Sequence, residues 1–148
     1  MLSLRTIEPH TLELLKSLMQ EPALCELRLV GGTALELQYG HRSSVDLDLF
    51  GKIDIDGYEL QSILSRYGVL KVENETKIIH QFYIDNIKVD VVNYPFEWIS
   101  PMVKEDGVRL ASPVDIAAMK VNAIEGRGTK KDFIDMYILL QHYSLEEI

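Results

Sequence analysis

The alternation Val45-Asp46-Leu47-Asp48-Leu49-Phe50 limits most strongly what this chain can fold into. Side chains in a strand alternate with period two, so Val45, Leu47 and Leu49 share one face while Asp46 and Asp48 share the other. Aspartate is depleted in strands, and two on one face repel each other. At the ~6.6 Å spacing of residues i and i+2 and an effective dielectric near 20, that repulsion is roughly 2.5 kcal/mol. A divalent cation reverses its sign. Hard carboxylate oxygens suit Mg²⁺ or Mn²⁺, which take one or two carboxylates together with phosphate oxygens of a substrate. The plainer alternative is the solvated face of an edge strand, where exposed acids need no metal.

What precedes the acids bears on that choice. Arg28, Leu29 and Val30 end a short apolar strand at Gly31-Gly32, and Ala34, Leu35, Leu37 and Gln38 follow at helical spacing. A strand that turns into a helix through Gly31-Gly32-Thr33 presents free N–H groups at the helix N-terminus, where an anion such as a triphosphate is favoured. A glycine pair alone is also the mark of a simple tight turn. The helix from Thr33 to Tyr39 stops at Gly40, and His41-Arg42-Ser43-Ser44 leads into the acidic strand as a polar loop at the rim of the same cleft. Arg42 either pairs with a substrate phosphate or neutralises Asp46 or Asp48, and Ser44 is a candidate phosphate contact. His41 has no clustered partner and is read as structural or exposed.

A third acid comes later. Val69 to Val92 reads as a hairpin or meander whose strands meet at Asp85-Asn86, a two-residue loop that tolerates positive φ. On the returning strand Lys88, Asp90 and Val92 share one face. An acid in an apolar strand is costly unless paired or metal-bound, which makes Asp90 a third ligand or a general base; an edge residue in water is the alternative. Tyr94 to Trp98 is an aromatic connection, with Trp98 read as packing before base stacking.

The remaining segments read as scaffold with a few exceptions. A first helix is expected over Thr6 to Gln20, with Leu12, Leu15, Leu18 and Met19 on one stripe, and a first strand over Cys25 to Val30. Gly51 to Gly57 is a loop, Asp56 or Gly57 caps a helix from Tyr58 to Tyr67, and the final third is helical. Its first helix has Ser112 as N-cap, Pro113 at the first position and Asp115 at the third, and runs to Glu125. Lys120 falls on the apolar stripe of Ala117, Val121 and Ile124, so it snorkels or meets a carboxylate or phosphate in the cleft. A last helix begins at Thr129-Lys130-Lys131-Asp132, where Asp132 and Asp135 stand beside Arg127, Lys130 and Lys131; ordinary surface pairing is the plain reading of these charges.

At 148 residues the chain has the size of one domain, and 26% charged with 47% hydrophobic residues is ordinary for a soluble globular protein. No apolar run approaches the ~20 residues of a spanning helix and no signal peptide is evident, so a cytoplasmic location is expected. The lone Cys25 is expected to be a buried thiol. A net charge of −8 argues against broad non-specific nucleic-acid binding.

Taken together, Gly31-Gly32-Thr33-Ala34-Leu35, His41 to Phe50, Asp90, Lys120, Ala123-Ile124 and Arg127 to Asp135 resemble the AbiEii/AbiGii toxin family within the polymerase β-like nucleotidyltransferases, over roughly Leu27 to Leu140. The resemblance implies an α+β nucleotidyltransferase fold: a mixed, mostly antiparallel sheet flanked by helices, with a C-terminal helical pair. Residues 1–148 would form one domain, 1–98 carrying the sheet with the catalytic strands and 99–148 a helical part closing the cleft. It further implies Mg²⁺- or Mn²⁺-dependent transfer of a nucleoside monophosphate from a nucleoside triphosphate to an acceptor hydroxyl, on tRNA in some members; a transferase acting on a small compound of the aminoglycoside kind shares the strand, glycine turn and acid pair and is an alternative. A toxin role with a cognate antitoxin partner, and no membrane, goes with it. Asp46, Asp48 and Asp90 would bind metal, Gly31, Gly32, Thr33, Arg42, Ser44 and Lys120 the nucleotide, and Lys120 with Asp132 or Asp135 would assist catalysis. A nucleotide-binding module without turnover is the alternative from another class.

Overall fold

The computed structural model of the chain describes residues 8–39, 46–94, 97–126 and 135. Helix α1 (Pro9–Met19) starts three residues later than expected because Glu8 caps it, its carboxylate accepting the N–H groups of His10 at 3.0 Å and Thr11 at 2.9 Å. Its buried face is Thr11, Leu14, Leu15, Leu18 and Met19, with Leu12 at the margin. A 3-10 turn over Pro22–Leu24 then shortens strand β1 to Arg28–Val30. That turn sends Leu24 and Leu27 inward and leaves Cys25 exposed, so the thiol is not buried as expected.

Helix α2 (Gly31–Tyr39) follows β1 without a break, and β2 (Leu47–Gly51) begins directly after Asp46. Gly40 and the loop to Val45 lie outside the described residues. Asp56 caps α3 (Gly57–Leu64) by accepting the Glu59 N–H at 2.8 Å, and α3 buries Leu60, Ile63 and Leu64 but ends before Tyr67. The meander is β3 (Leu70–Glu75), β4 (Ile79–Ile84) and β5 (Ile87–Asn93), turning at Asp85 and Asn86 with φ of 49° and 67°. Such a two-residue loop with both φ values positive matches the twist of the strands it joins.

Residues 99–112 depart from expectation. They hold a hairpin, β6 (Val103–Glu105) and β7 (Val108–Leu110), turning at Asp106-Gly107, and β7 pairs with β1. The sheet therefore does not stop at residue 98, and the segment from 99 onward is not wholly helical. Helix α4 (Pro113–Gly126) comes next, with Ser112 Oγ accepting the Asp115 N–H at 3.1 Å. The second helix of the expected C-terminal pair lies outside the described residues apart from Asp135.

Among the described residues the strands form one sheet in the order β3-β4-β5-β2-β1-β7-β6. The β1–β2, β3–β4, β4–β5 and β6–β7 pairs are antiparallel, while β2–β5 and β1–β7 are parallel. This is the mixed, mostly antiparallel α+β sheet expected. Leu29, Leu47, Leu49, Val89, Val91, Phe82 and Ile84 fill one face and join the leucines of α1 and α3 in a single apolar core. The opposite face of β2 and β5 carries the acids. Among the described residues no helix is long and apolar enough to cross a membrane.

Candidate active site

Strands β2 and β5 lie side by side in parallel, with Asp48 directly opposite Asp90. Both strands are interior to the sheet, which removes the edge-strand explanation for their acids. Directly paired residues share a face, so the two carboxylates meet, and their side chains are hydrogen-bonded to each other. Burial, then the charges of Asp90 and Asp46, push the Asp48 carboxyl up to about 7. Asp90 is also raised, by burial, with the Lys88 ammonium acting against it. A protonated Asp48 donating to an ionised Asp90 is the arrangement these shifts describe.

The pair is under-satisfied. Gln81, opposite Asp90 on β4, hydrogen-bonds its carboxylate, yet Asp90 Oδ1 is buried without a hydrogen-bond partner among the described residues. On the β1 side, a Cβ added to Gly31 would stand 2.6 Å from Asp48 Oδ2, and Gly31 has φ +75°. Only glycine lets the backbone approach the carboxylate so closely in that conformation. Gly32 lies in the first turn of α2. Thr33 is buried and donates its hydroxyl to the Asp46 carbonyl, tying α2 to the start of β2. The hydroxyl thus serves the scaffold, while the triphosphate contact expected of Thr33 rests on the backbone N–H groups of the turn.

A cleft of about 620 Å³ opens from the acid pair, lined by Gly31, Asp48, Gln81, Asp90, Tyr94 and Lys120 among others. Lys120 is buried, and its Nζ lies 2.9 Å from Oδ2 of Asp135, itself fully buried. Asp135 is therefore no solvated surface charge. Asp115 also lines the cleft; it accepts the Ile99 N–H at 2.7 Å, the Ser100 N–H at 3.1 Å and the Ser112 hydroxyl at 2.8 Å, which fixes the 99–100 segment as a wall. Tyr94 packs between Phe50 and Trp98, with ring centroids 5.7 and 4.9 Å away. The Arg28 guanidinium sits 4.4 Å over the Trp98 ring, so Trp98 serves packing, as read from the sequence.

The structure thus brings Gly31, Asp48, Asp90 and Lys120 to one cleft, with Asp135 behind Lys120. Asp46 acts on Asp48 and Asp90 through its charge, but among the described residues no three acid, His or Cys side chains stand together as a finished ligand set. Arg42, Ser44 and Asp132 lie outside the described residues. Gln81, Lys88 and Asp115 are neighbours that the sequence reading did not single out. Two of them were within reach: counting back from the Asp85-Asn86 turn pairs Ile84 with Ile87, and hence Tyr83 with Lys88 and Gln81 with Asp90.

The orphaned Asp90 Oδ1, the carboxyl held protonated beside it and the glycine approach are features that a divalent cation would resolve, so the donor set of Asp48 and Asp90, with Asp46 adjacent, fits Mg²⁺ or Mn²⁺.

Comparison with known proteins bears on the same site. A protein-family model described as nucleotidyl transferase AbiEii toxin, type IV TA system, matches residues 13–148. An uncharacterised protein of Aquifex aeolicus (strain VF5) is 29% identical over 144 residues, 95% of this chain and 70% of its own. Among solved structures, JHP933 from Helicobacter pylori superposes with a TM-score of 0.64 at 21% identity, over 96% of this chain and 70% of its own. The antibiotic-resistance factor ANT(2'')-Ia superposes with a TM-score of 0.70 at 17% identity, over 93% and 84%. At these identities the structural likenesses speak for the fold.

Proposed function

Because the chain belongs to the AbiEii nucleotidyl transferase toxin family, we propose that it transfers a nucleoside monophosphate from a nucleoside triphosphate to an acceptor hydroxyl with Mg²⁺ or Mn²⁺, as the toxin of a toxin–antitoxin pair. The observation that carries this reading is the register pairing of Asp48 with Asp90 beside the Gly31 approach. In the reaction the acceptor oxygen bonds to the α-phosphorus, the bond from that phosphorus to the bridging oxygen breaks, pyrophosphate leaves, and the hydroxyl proton passes to a base. A bound divalent ion would supply charge stabilisation for the attacking and leaving oxygens. The chain's own residues do the rest. Asp48, Asp90 and Asp46 would hold the cation, Asp90 would also take the proton, and Gly31 and Gly32 would open backbone N–H groups to phosphate. Lys120, braced by Asp135, faces the cleft as a phosphate contact; Arg42, Ser44 and Asp132 complete the proposed set.

The acceptor is tRNA or a small hydroxyl compound. Fold likeness to ANT(2'')-Ia, of which one crystal structure holds adenylyl-2''-tobramycin, favours keeping the second reading beside the first. The test is pyrophosphate release from each labelled triphosphate with Mg²⁺, in the presence of tRNA or an aminoglycoside. Release and acceptor labelling are expected, with Asp48→Asn and Asp90→Asn each losing about 10²-fold or more. Undiminished turnover in both variants would overturn the site. Triphosphate binding without any release would make the chain a nucleotide-binding module.

A further inference from the structure

A second cavity, of about 600 Å³, opens on the sheet face opposite the acids and shares no lining residue with the acid cleft. It lies between the start of α3 and the turn that joins β3 to β4. Ile53, Ile55 and Tyr58 wall it, and His80 and Asn93 reach it from the sheet. His80 has the strand parity of Phe82 and Ile84, so it sits at the margin of the core, 5% exposed. Its Nδ1 meets Glu75 Oε1, and the Gln61 side-chain amide donates to Glu75 Oε2. Room for that carboxylate comes from Gly57, where an added Cβ would stand 2.5 Å from Glu75 Oε1. Thr76 fixes the rim, its hydroxyl accepting the N–H groups of Ile78 at 3.3 Å and Ile79 at 2.9 Å.

A carboxylate accepts and cannot donate, so Nδ1 carries the imidazole proton, and Glu75 thereby fixes the tautomer in which Nε2 is a bare acceptor. Among the described residues no hydrogen bond reaches Nε2. One bond would satisfy a histidine that served only the core. Here side chains from α3 and β3 are both spent on orienting a ring whose second nitrogen is left open, which is how a histidine is aimed at a ligand. We propose that the cavity binds an uncharged aromatic molecule with a ring N–H or phenolic O–H, which donates to His80 Nε2 while its ring lies against Ile53, Ile55 and Tyr58. The volume is within the ~300–1,000 Å³ of small-molecule sites, and Tyr58, 85% exposed, offers a ring for such a ligand to cover. Asp56 and Lys77 on the lining oppose each other in sign, and both Glu75 oxygens are already occupied, so the site favours neither ion. An anion would meet the lone pair of Nε2 and gain no donor from it. A metal is not the occupant either, because among the described residues no three His, Cys or acid side chains stand together.

The test uses the full chain without metal or triphosphate, titrated at pH 8 with three probes: indole, benzofuran, which has an oxygen in place of the N–H, and benzoate. Indole is expected to bind about tenfold more tightly than benzofuran, the effect of one buried hydrogen bond, and more tightly than benzoate. In a chain labelled with ¹⁵N-histidine, indole should move the Nε2 resonance of His80 upfield. His80→Phe should bind indole and benzofuran equally. Tyr58→Ala, a change at an exposed position, should weaken indole roughly tenfold with the melting temperature near that of the parent. Asp48→Asn should bind indole as the parent does, since the two cavities are separate. No binding of indole by the parent, binding of benzofuran or benzoate as tight as that of indole, a His80 resonance that stays in place, or undiminished binding by Tyr58→Ala each overturns the site. Loss of binding in Asp48→Asn overturns it too, because it places the ring in the acid cleft. None of these readouts involves nucleotide transfer, so an inactive chain that shows the expected pattern keeps the cavity and loses only the transferase reading.

Discussion

Asp48 shows most clearly what a single residue adds here. Its carboxyl titrates near 7 in the folded chain against about 3.9 in an unfolded one. The folded state therefore holds a proton that the unfolded state has released, and between those two values metal-free stability falls as pH rises. Asp48→Asn keeps a hydrogen-bonding group and removes the charge. It is expected to melt about 2–6 °C higher than the parent at pH 8 without metal, reflecting roughly 1–2 kcal/mol, and to match it at pH 4. Parallel pH profiles in scanning calorimetry would contradict this. That Asp48 faces away from Leu47 and Leu49 was legible in the sequence, because alternation is a local property, although the strand starts only after Asp46. The height of the Asp48 titration was not, since it depends on Asp90 and on burial, both set from a distance. Thr33 illustrates the same limit: that its hydroxyl holds the Asp46 carbonyl, thirteen residues on, is not readable from the turn itself.

At the scale of elements, local chemistry was the better guide. The Ser112 cap, the Asp56 cap and the Asp85-Asn86 turn lie where the residue types demanded them. The β6–β7 hairpin escaped notice because three-residue strands carry too short a period to register, although Asp106-Gly107 is a turn signal. Its position is secured by Arg109, whose guanidinium donates to the carbonyls of Met19, Leu24 and Leu27 at 2.9, 2.8 and 3.0 Å, closing the end of α1 and the turn after it. Helix α4 is anchored by the Lys120–Asp135 pair. Removing one partner of a buried ion pair strands the other, so Lys120→Met is expected to cost about 3–5 kcal/mol in urea unfolding. The double variant Lys120→Met/Asp135→Leu should recover most of that loss while remaining inactive. A Lys120→Met chain as stable as the parent would mean the pair is not buried in solution.

For the molecule as a whole, the proposed cation site predicts a stability that depends on a cation. Mg²⁺ at ten times its dissociation constant should add about 1.4 kcal/mol, a rise of roughly 3–5 °C in melting temperature that a chelator reverses. Asp90→Asn should show no such rise; an equal rise would place the ion elsewhere. Much of this protein is determined by the sequence alone: alternation gave the acids one face, glycine gave the backbone its approach, and caps and turns gave the elements their ends. Each of these acts over a few residues, so the chain carries it wherever it folds. Only the tertiary structure decided that β5 lies beside β2 in parallel, that residues 103–110 extend the sheet past β1, and that Lys120 turns inward to Asp135. Those outcomes follow from which apolar faces bury one another across dozens of residues, a competition that no short stretch of sequence records.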